Sequence, residues 1–443
     1  MEQNNPAALS AAAVSSAAPA PAFPLVREGR YLWILLGLLM SVTVFEGYDV
    51  TIFHLCTPDI ARTFHLDDRA VGMMASLVRL GGMLAVFVVM LSDRLGRKPV
   101  VSATVLFYTL FTLLTALSRG LWSFTTFQSC AQIFLSAEFS VAIIMISEEF
   151  PDGSRGRGVA MLHAVGLLGV IAGGLLYGHV ADSRWGWRGM YFIGIIPLLL
   201  VAFLRRGIRE TLRFDAFRKA RADAPAIASG AIAALRHAVE PLRGPYRGRL
   251  ILVALLWNCV GLVSAPSVTF FTLYAKRDHH WTSPQIGYAV VLAYTIGSLG
   301  IMLAGWLLDR VGRKLTTALS YLVGAVAIAA LFQTSGYGAM LTALVITVVA
   351  FQAARTATAT YSAELFPTAI RATSYSLTVQ LLGQLAALMT PFIIGSMSKS
   401  LGGLGNAVAA VSVGPAIGAL LVWRFAPETR GVRLEDLSPA AAR

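Results

Sequence analysis

Twelve predominantly apolar stretches follow one another along this chain, each about as long as the helix needed to cross roughly 30 Å of bilayer hydrocarbon. They run over 31–55, 70–91, 99–118, 122–147, 158–182, 188–205, 249–275, 285–308, 315–334, 337–362, 372–399 and 405–425. Short breaks bearing Arg, Lys, Gly or Pro separate them. With 56% hydrophobic and 13% charged residues, and a mean hydropathy of +0.68, the chain has more apolar surface than soluble cores can hide. A bilayer interior offers the backbone no hydrogen-bond partner, so each stretch must satisfy its own. The expected fold is an all-α membrane bundle.

Cytoplasmic loops retain Lys and Arg, and that bias sets the orientation. With the N-terminus inside, 26 of the 36 lysines and arginines fall on the inner side and 8 on the outer, leaving Arg79 and Arg355 within spans. Both termini are expected in the cytoplasm, as in a polytopic protein of the bacterial inner membrane. The net charge of +13 is scattered over loops beside apolar helices, not gathered on a polar domain, and this excludes nucleic acid as the partner. Residues 1–25, rich in Ala, Pro and Ser, read as a disordered cytoplasmic tail without the charged start of a signal peptide. Cys56, Cys130 and Cys259 are too few and too scattered for a disulfide framework or a metal site. No nucleotide-cradling loop or nucleophile elbow is present, so neither a cofactor nor an enzymatic activity is expected.

Two motifs recur in one register. Asp93-Arg94-Leu95-Gly96-Arg97-Lys98 after the second span returns as Asp309-Arg310-Val311-Gly312-Arg313-Lys314 after the eighth. Glu148-x-x-Pro151-x-x-x-Arg155 after the fourth returns as Glu364-x-x-Pro367-x-x-x-Arg371 after the tenth. Both are displaced by 216 residues, from 93 to 309 and from 148 to 364. A shared displacement means an internal duplication. It divides the chain into a first bundle over 26–205, a cytoplasmic linker over 206–248, a second bundle over 249–425 and a cytoplasmic tail over 426–443.

On these motifs the sequence resembles the major facilitator superfamily from about Tyr31 to Leu437. The duplicated Asp-Arg-x-Gly-Arg-Lys loop is that superfamily's signature. The glycine expected four residues before the Asp is Gly305 in the second copy and Val89 in the first. Pro427-Glu428-Thr429-Arg430-Gly431 with Leu434-Glu435 is similar to the tail of sugar porters. Arg205-Arg206 with Glu210-Thr211, and Glu138 ten residues before Glu148, resemble the metabolite:proton symporters. Glu46-Gly47-Tyr48-Asp49 is similar to the Asp-Gly-Tyr-Asp of aromatic acid:proton symporters. The resemblance implies two pseudo-symmetric six-helix bundles around a central cavity lined by the first, fourth, seventh and tenth helices.

Five ionisable residues lie within spans: Glu46, Asp49, Arg79, Glu138 and Arg355. Each costs about 2.5–3.5 kcal/mol if it faces lipid, so they are expected to face a cavity or one another. Glu46 and Asp49, three residues apart on one helix face, are candidates for carrying protons, as is Glu138. The competing reading makes one of the pair a counter-ion for Arg79 or a cap at Gly47. Arg355 is the candidate anchor for a substrate carboxylate, within a polar stripe of Gln352, Thr358 and Ser362. Glu138 lies near its repeat-equivalent position, with Gln128 on roughly the same face, and a static Glu138–Arg355 bridge is the alternative. Further substrate candidates are Trp257, Asn258, Tyr294, Gln380 and Gln384, each equally at home in helix packing. His163 is a weak candidate for titration near neutrality. At the cytoplasmic helix ends, Asp93, Arg94, Arg97, Glu148, Arg155, Asp309, Arg310, Arg313, Glu364 and Arg371 are candidates for inter-helix networks that change with conformational state. Arg97, Lys98, Arg313 and Lys314 serve equally as topology signals.

The expected function is a monomeric secondary transporter that couples proton entry to uptake of a small organic anion. Two alternatives stay open. A sugar carrier is favoured by the tail motif. A drug:proton antiporter fits Gly169, Gly173 and Gly174, though Val165 and Val170 replace a Gly and a Pro of that pattern.

Overall fold

The computed structural model describes residues 29–150, 155–204, 210–211, 246–265, 269–366 and 374–430. Most of the expected linker and both chain ends lie outside them. The described residues are helical throughout their spans: α1 (Gly29–Thr63), α2 (Asp68–Leu95), α3 (Arg97–Ala116), α4 (Leu121–Glu149), α5 (Arg155–Val180) and α6 (Gly186–Leu204) form one half. The other comprises α7 (Arg247–Ala265), α8 (Phe271–Arg277), α9 (Ser283–Arg310), α10 (Arg313–Gln333), α11 (Tyr337–Glu364), α12 (Leu385–Ser398), α13 (Leu404–Val411) and α14 (Val413–Phe425). All twelve expected spans are found. Among the described residues, nine helices are long and apolar enough to cross a membrane.

Among the described residues, the eleventh and twelfth spans are irregular. The seventh span comprises α7 and α8, with residues 266–268 between them outside the described residues, and the twelfth is divided into α13 and α14 at Ser412. The eleventh carries a π turn over Ser376–Leu381 and a 3-10 turn over Leu382–Gln384 before α12. Asn258 of α7 holds this irregular backbone: its amide donates to the Leu382 carbonyl at 2.8 Å and its oxygen accepts from the Ala386 N–H at 2.6 Å. Such side-chain substitution is how a broken helix stays satisfied inside a membrane.

Helix ends are set by local chemistry. Asp67 caps α2 through the Ala70 N–H at 2.8 Å, and Thr282 with Gln285 forms a capping box before α9. Gly96 and Gly312, the glycines of the duplicated loop, have φ of 104° and 118°, a left-handed conformation that costs other residues energy. The loop is a tight reversal, and its glycine makes it possible.

Glycines also bring helices together. A Cβ on Gly169 of α5 would stand 1.8 Å from the Val44 carbonyl oxygen, and one on Gly47 of α1 would stand 2.1 Å from that of Gly166. The α1–α5 crossing is therefore backbone against backbone, the small-residue contact favoured where lipid gives no hydrophobic drive. Gly169, Gly173 and Gly174 are packing residues here: Gly173 meets Thr51, and Gly174 meets Gly287 and Val291 across the boundary between halves. Outward-facing residues such as Leu106, Met302, Val326 and Leu420 are exposed and apolar, as a lipid-facing surface requires. Exposed Trp33, Trp306 and Trp423 mark the end that carries the duplicated loops, and Trp122 and Trp185 mark the far end.

The halves meet toward the far end. Gly72 of α2 abuts Pro391 of α12, Gly178 of α5 abuts Pro284 of α9, and the Phe392 N–H donates to the Ser76 hydroxyl at 3.2 Å. His54 of α1 bridges to the second half twice, its Nδ1 lying 3.0 Å from the Thr269 hydroxyl and its carbonyl accepting from Thr272 at 2.7 Å.

Candidate substrate and proton site

Midway along the helices, charged groups of both halves address one space. Arg355 of α11 is exposed to it, and no described residue is recorded bonding its guanidinium. Glu46 of α1 lies within electrostatic reach of Arg355, Glu138 and Asp49. Tyr294 of α9 also lies within reach of Arg355, and Gln352 is half-buried one turn away on α11. Four of the expected substrate and proton residues, Glu46, Glu138, Tyr294 and Arg355, are thus assembled from α1, α4, α9 and α11.

Asp49 is buried in the first half. Gln128 of α4 donates to its Oδ2 at 3.3 Å, Tyr108 of α3 stands beside the same carboxyl, and Oδ1 has no partner among the described residues. Glu138 is fully buried, with Tyr108 also in electrostatic reach. A carboxylate so enclosed is tolerable in a membrane only if a proton or a cation offsets its charge. Glu46 is the more accessible of the three acids.

The polar stripe on α11 is divided. Thr358 and Ser362 turn into the second half, where Tyr321 covers the first at 2.9 Å and the Trp257 indole donates to the second at 2.9 Å. Trp257 and Asn258 are thereby engaged in bracing α7 against α11 and the eleventh span. Gln384 donates to its own segment at the Val379 carbonyl. The side chains of Gln380 and His163 lie outside the described residues.

At the loop-bearing end, each half carries the same brace. Arg97 donates to Glu148 at 2.8 Å and to the Ser92 carbonyl at 3.1 Å; Arg313 donates to Glu364 at 3.2 Å and to the Leu308 carbonyl at 2.9 Å. A Glu-Thr dipeptide completes each one. Glu210 accepts from the Arg97 and Lys98 N–H groups, and Thr211 donates to Glu148 at 2.6 Å. Glu428 accepts from the Arg313 and Lys314 N–H groups at 2.9 and 3.0 Å, and Thr429 donates to Glu364. Burial alone would raise the Glu428 carboxyl, but N–H donors from Arg313, Arg430, Lys314 and Thr429 hold it below its ordinary value. The Glu-Thr pairs at 210–211 and 428–429 are therefore one structural device. Asp309, on the last turn of α9, is largely exposed and pairs with Arg313 of the brace at 3.3 Å. Arg310 lies over the Trp306 ring and not in the brace. The side chains of Asp93, Arg94 and Arg155, and Arg371 altogether, lie outside the described residues.

A second network, unforeseen in the sequence, joins the two halves at the far end. The Lys276 ammonium of α8 stands 3.0 Å from both oxygens of Asp59 in α1, 3.1 Å from the Tyr177 hydroxyl of α5 and 2.8 Å from the Ser283 hydroxyl of α9. Tyr177 donates to Asp59 at 2.8 Å, and Ser283 donates to Asp182 at 2.8 Å. Beside it, Arg277 pairs with Asp68, which also accepts from Ser398. The available signal was a lysine and an arginine together in a loop on the side otherwise poor in positive charge.

Comparisons with known proteins agree with this architecture. The chain is 24% identical to a probable 4-methylmuconolactone transporter of Cupriavidus pinatubonensis over 413 residues, covering 90% of this chain and 91% of that protein. It is 25% identical to a gallate transporter of Pseudomonas putida over 371 residues, 78% of this chain and 81% of that protein. Its fold matches the crystal structure of a D-xylose-proton symporter with a TM-score of 0.75 at 18% identity, over 90% of this chain and 99% of that one. The sequence profile of the Major Facilitator Superfamily matches residues 39–391 and again 259–440, a double match that follows the duplication. With two bundles of membrane-spanning helices, the duplicated loop in both halves and a profile match over most of its length, the chain belongs to the Major Facilitator Superfamily and is a membrane transporter of small molecules.

Proposed function

We propose that the protein takes up a small organic anion, an aromatic or other carboxylic acid, together with protons. The observation that carries this reading is Arg355: a guanidinium exposed in the space between the halves, faced by Glu46, without a recorded bonding partner among the described residues. A planar fork in a low-dielectric cavity is matched by a carboxylate. Relatives named for gallate and 4-methylmuconolactone support the same substrate class. The sugar-porter-like tail does not argue against it, since Glu428 and Thr429 act in a brace remote from the cavity.

Substrate carboxylate on Arg355 draws that charge away from Glu46 and the acids behind it. Their protonation then becomes easier, which links anion binding to proton uptake. Which of Glu46, Asp49 and Glu138 takes the proton is left to substitution. With the loop-bearing end in the cytoplasm, the Lys276–Asp59 network closes the outer face, and the state described faces inward. The protein works as a monomer in the inner membrane of a bacterium.

The test is uptake by proteoliposomes under an imposed pH gradient, with binding measured on purified, folded variants. Losing a desolvated charge-assisted contact typically costs about 2–5 kcal/mol, so Arg355→Gln should weaken acid binding well beyond about tenfold. Arg355→Lys should recover part of it. Wild-type affinity in Arg355→Gln would sink the anion reading.

A further inference from the structure

Arg79 is the ionisable residue of the spans that the reading above does not use. It belongs to α2, and its place follows from helix geometry. Gly72, Ser76 and Arg79 recur at spacings of four and three and so share one face of that helix. Gly72 is seated against Pro391 of α12, and Ser76 accepts from the Phe392 N–H. Arg79 lies a turn further from the far end on this same face, where it looks past the contact into the space between the halves. It is half-buried there.

Its electrostatic surroundings differ from those of Arg355. The acids Glu46, Asp49 and Glu138 gather on α1 and α4, and Glu46 is in reach of Arg355. Among the described residues, Arg79 is in electrostatic reach of Arg355 and of the His54 imidazole, whose Nδ1 is engaged with Thr269. Two guanidiniums, one from each half, therefore face one space and repel. A ligand with one carboxylate satisfies one fork and leaves the other cation uncompensated within the membrane.

We infer that Arg79 is a second anion-binding residue of the central cavity and that the preferred substrate is a dicarboxylate, one carboxylate on Arg79 and the other on Arg355. This rests on the organic-anion reading above and specifies it. Because the two arginines belong to different halves, a bridging diacid ties the halves together, and a monoacid does not. Arg79 then determines specificity, while Arg355 contributes to affinity for every acid.

The experiment measures affinities of purified protein for frame-matched pairs: benzoate against isophthalate and terephthalate, and hexanoate against adipate. Wild type should prefer at least one diacid to its monoacid by about tenfold or more. Arg79→Gln should erase that preference by weakening the diacid more than the monoacid, and Arg355→Gln should weaken both members of a pair. If Arg79→Gln does not fold, Arg79→Lys takes its place, with a reduced but measurable preference expected. Equal losses for mono- and diacid in Arg79→Gln, or an unchanged preference in either Arg79 variant, overturn the assignment. Monoacid binding that depends on Arg355 with no diacid preference in wild type overturns this inference alone. No binding of any of the acids by wild type overturns the organic-anion reading as well.

Discussion

Removing the Lys276 ammonium should open the far end of the protein. Its side chain is 17% exposed and that of Asp59 is 4% exposed, so the pair is neither a surface bridge, worth about 0–1 kcal/mol, nor a wholly desolvated one. Hydrogen bonds to charged groups contribute about 1.5–3 kcal/mol, and that is the scale for this pair. In Lys276→Met, Asp59 keeps the Tyr177 hydroxyl at 2.8 Å and Arg62 at 3.1 Å, which tempers the loss and argues for the lower part of that range. The closed state alone contains the contact, so its weight against an outward-open state should fall by about tenfold, up to about 150-fold at the top of the range. Spin labels at Arg119 and Ser400, exposed far-end positions of opposite halves, would report the change as a growing long-distance population. The labels require replacing Cys56, Cys130 and Cys259. Asp59→Asn should act in the same direction, and the double variant should do little more than either single one, because both remove one interaction. Distances unaltered in Lys276→Met, or additive effects in the double variant, would refute the latch.

Two further predictions concern the proton and the loop-bearing brace. Asp49→Asn should abolish accumulation driven by a pH gradient while sparing counterflow exchange, since exchange needs the substrate site but no net proton release; full accumulation in proteoliposomes would remove Asp49 as carrier. Glu428 is held below its ordinary value, so its brace contributes fully at neutral pH and is lost as pH falls through that lowered value; Glu428→Gln should therefore speed amide exchange at Arg313 and Lys314 already at neutral pH, and protection equal to wild type would contradict the capping role.

The spans and the duplication were legible because a bilayer imposes length and apolarity on every segment, and a repeat imposes register. The loop glycines Gly96 and Gly312 were visible in the motif, although only the fold gives the reason, a positive φ. Arg355 and Glu46 were legible by their cost in hydrocarbon. What escaped was contact between residues distant in sequence. Asp59, Tyr177 and Lys276 lie near helix ends, where charge usually reports topology; the repeat carries Asp59 to Ala275, beside Lys276, but a repeat register does not say that the two copies touch there. The irregular stretch of the eleventh span was hidden for a similar reason, since the groups that stabilise it are those of Asn258, some 124 residues distant in sequence from Leu382.

The paired Glu-Thr dipeptides bear on where each half ends. Glu210-Thr211 stands to the first half as Glu428-Thr429 stands to the second, and each completes a brace made otherwise within one copy of the repeat. Each half therefore does not end, as a folded unit, at its sixth helix but continues to a dipeptide that folds back onto its own loop. A deletion that trims the linker at 210–211, or a truncation ahead of Glu428, removes part of a folded half and not a dispensable end. For anyone joining, splitting or shuffling such halves, the natural seam comes after the dipeptide.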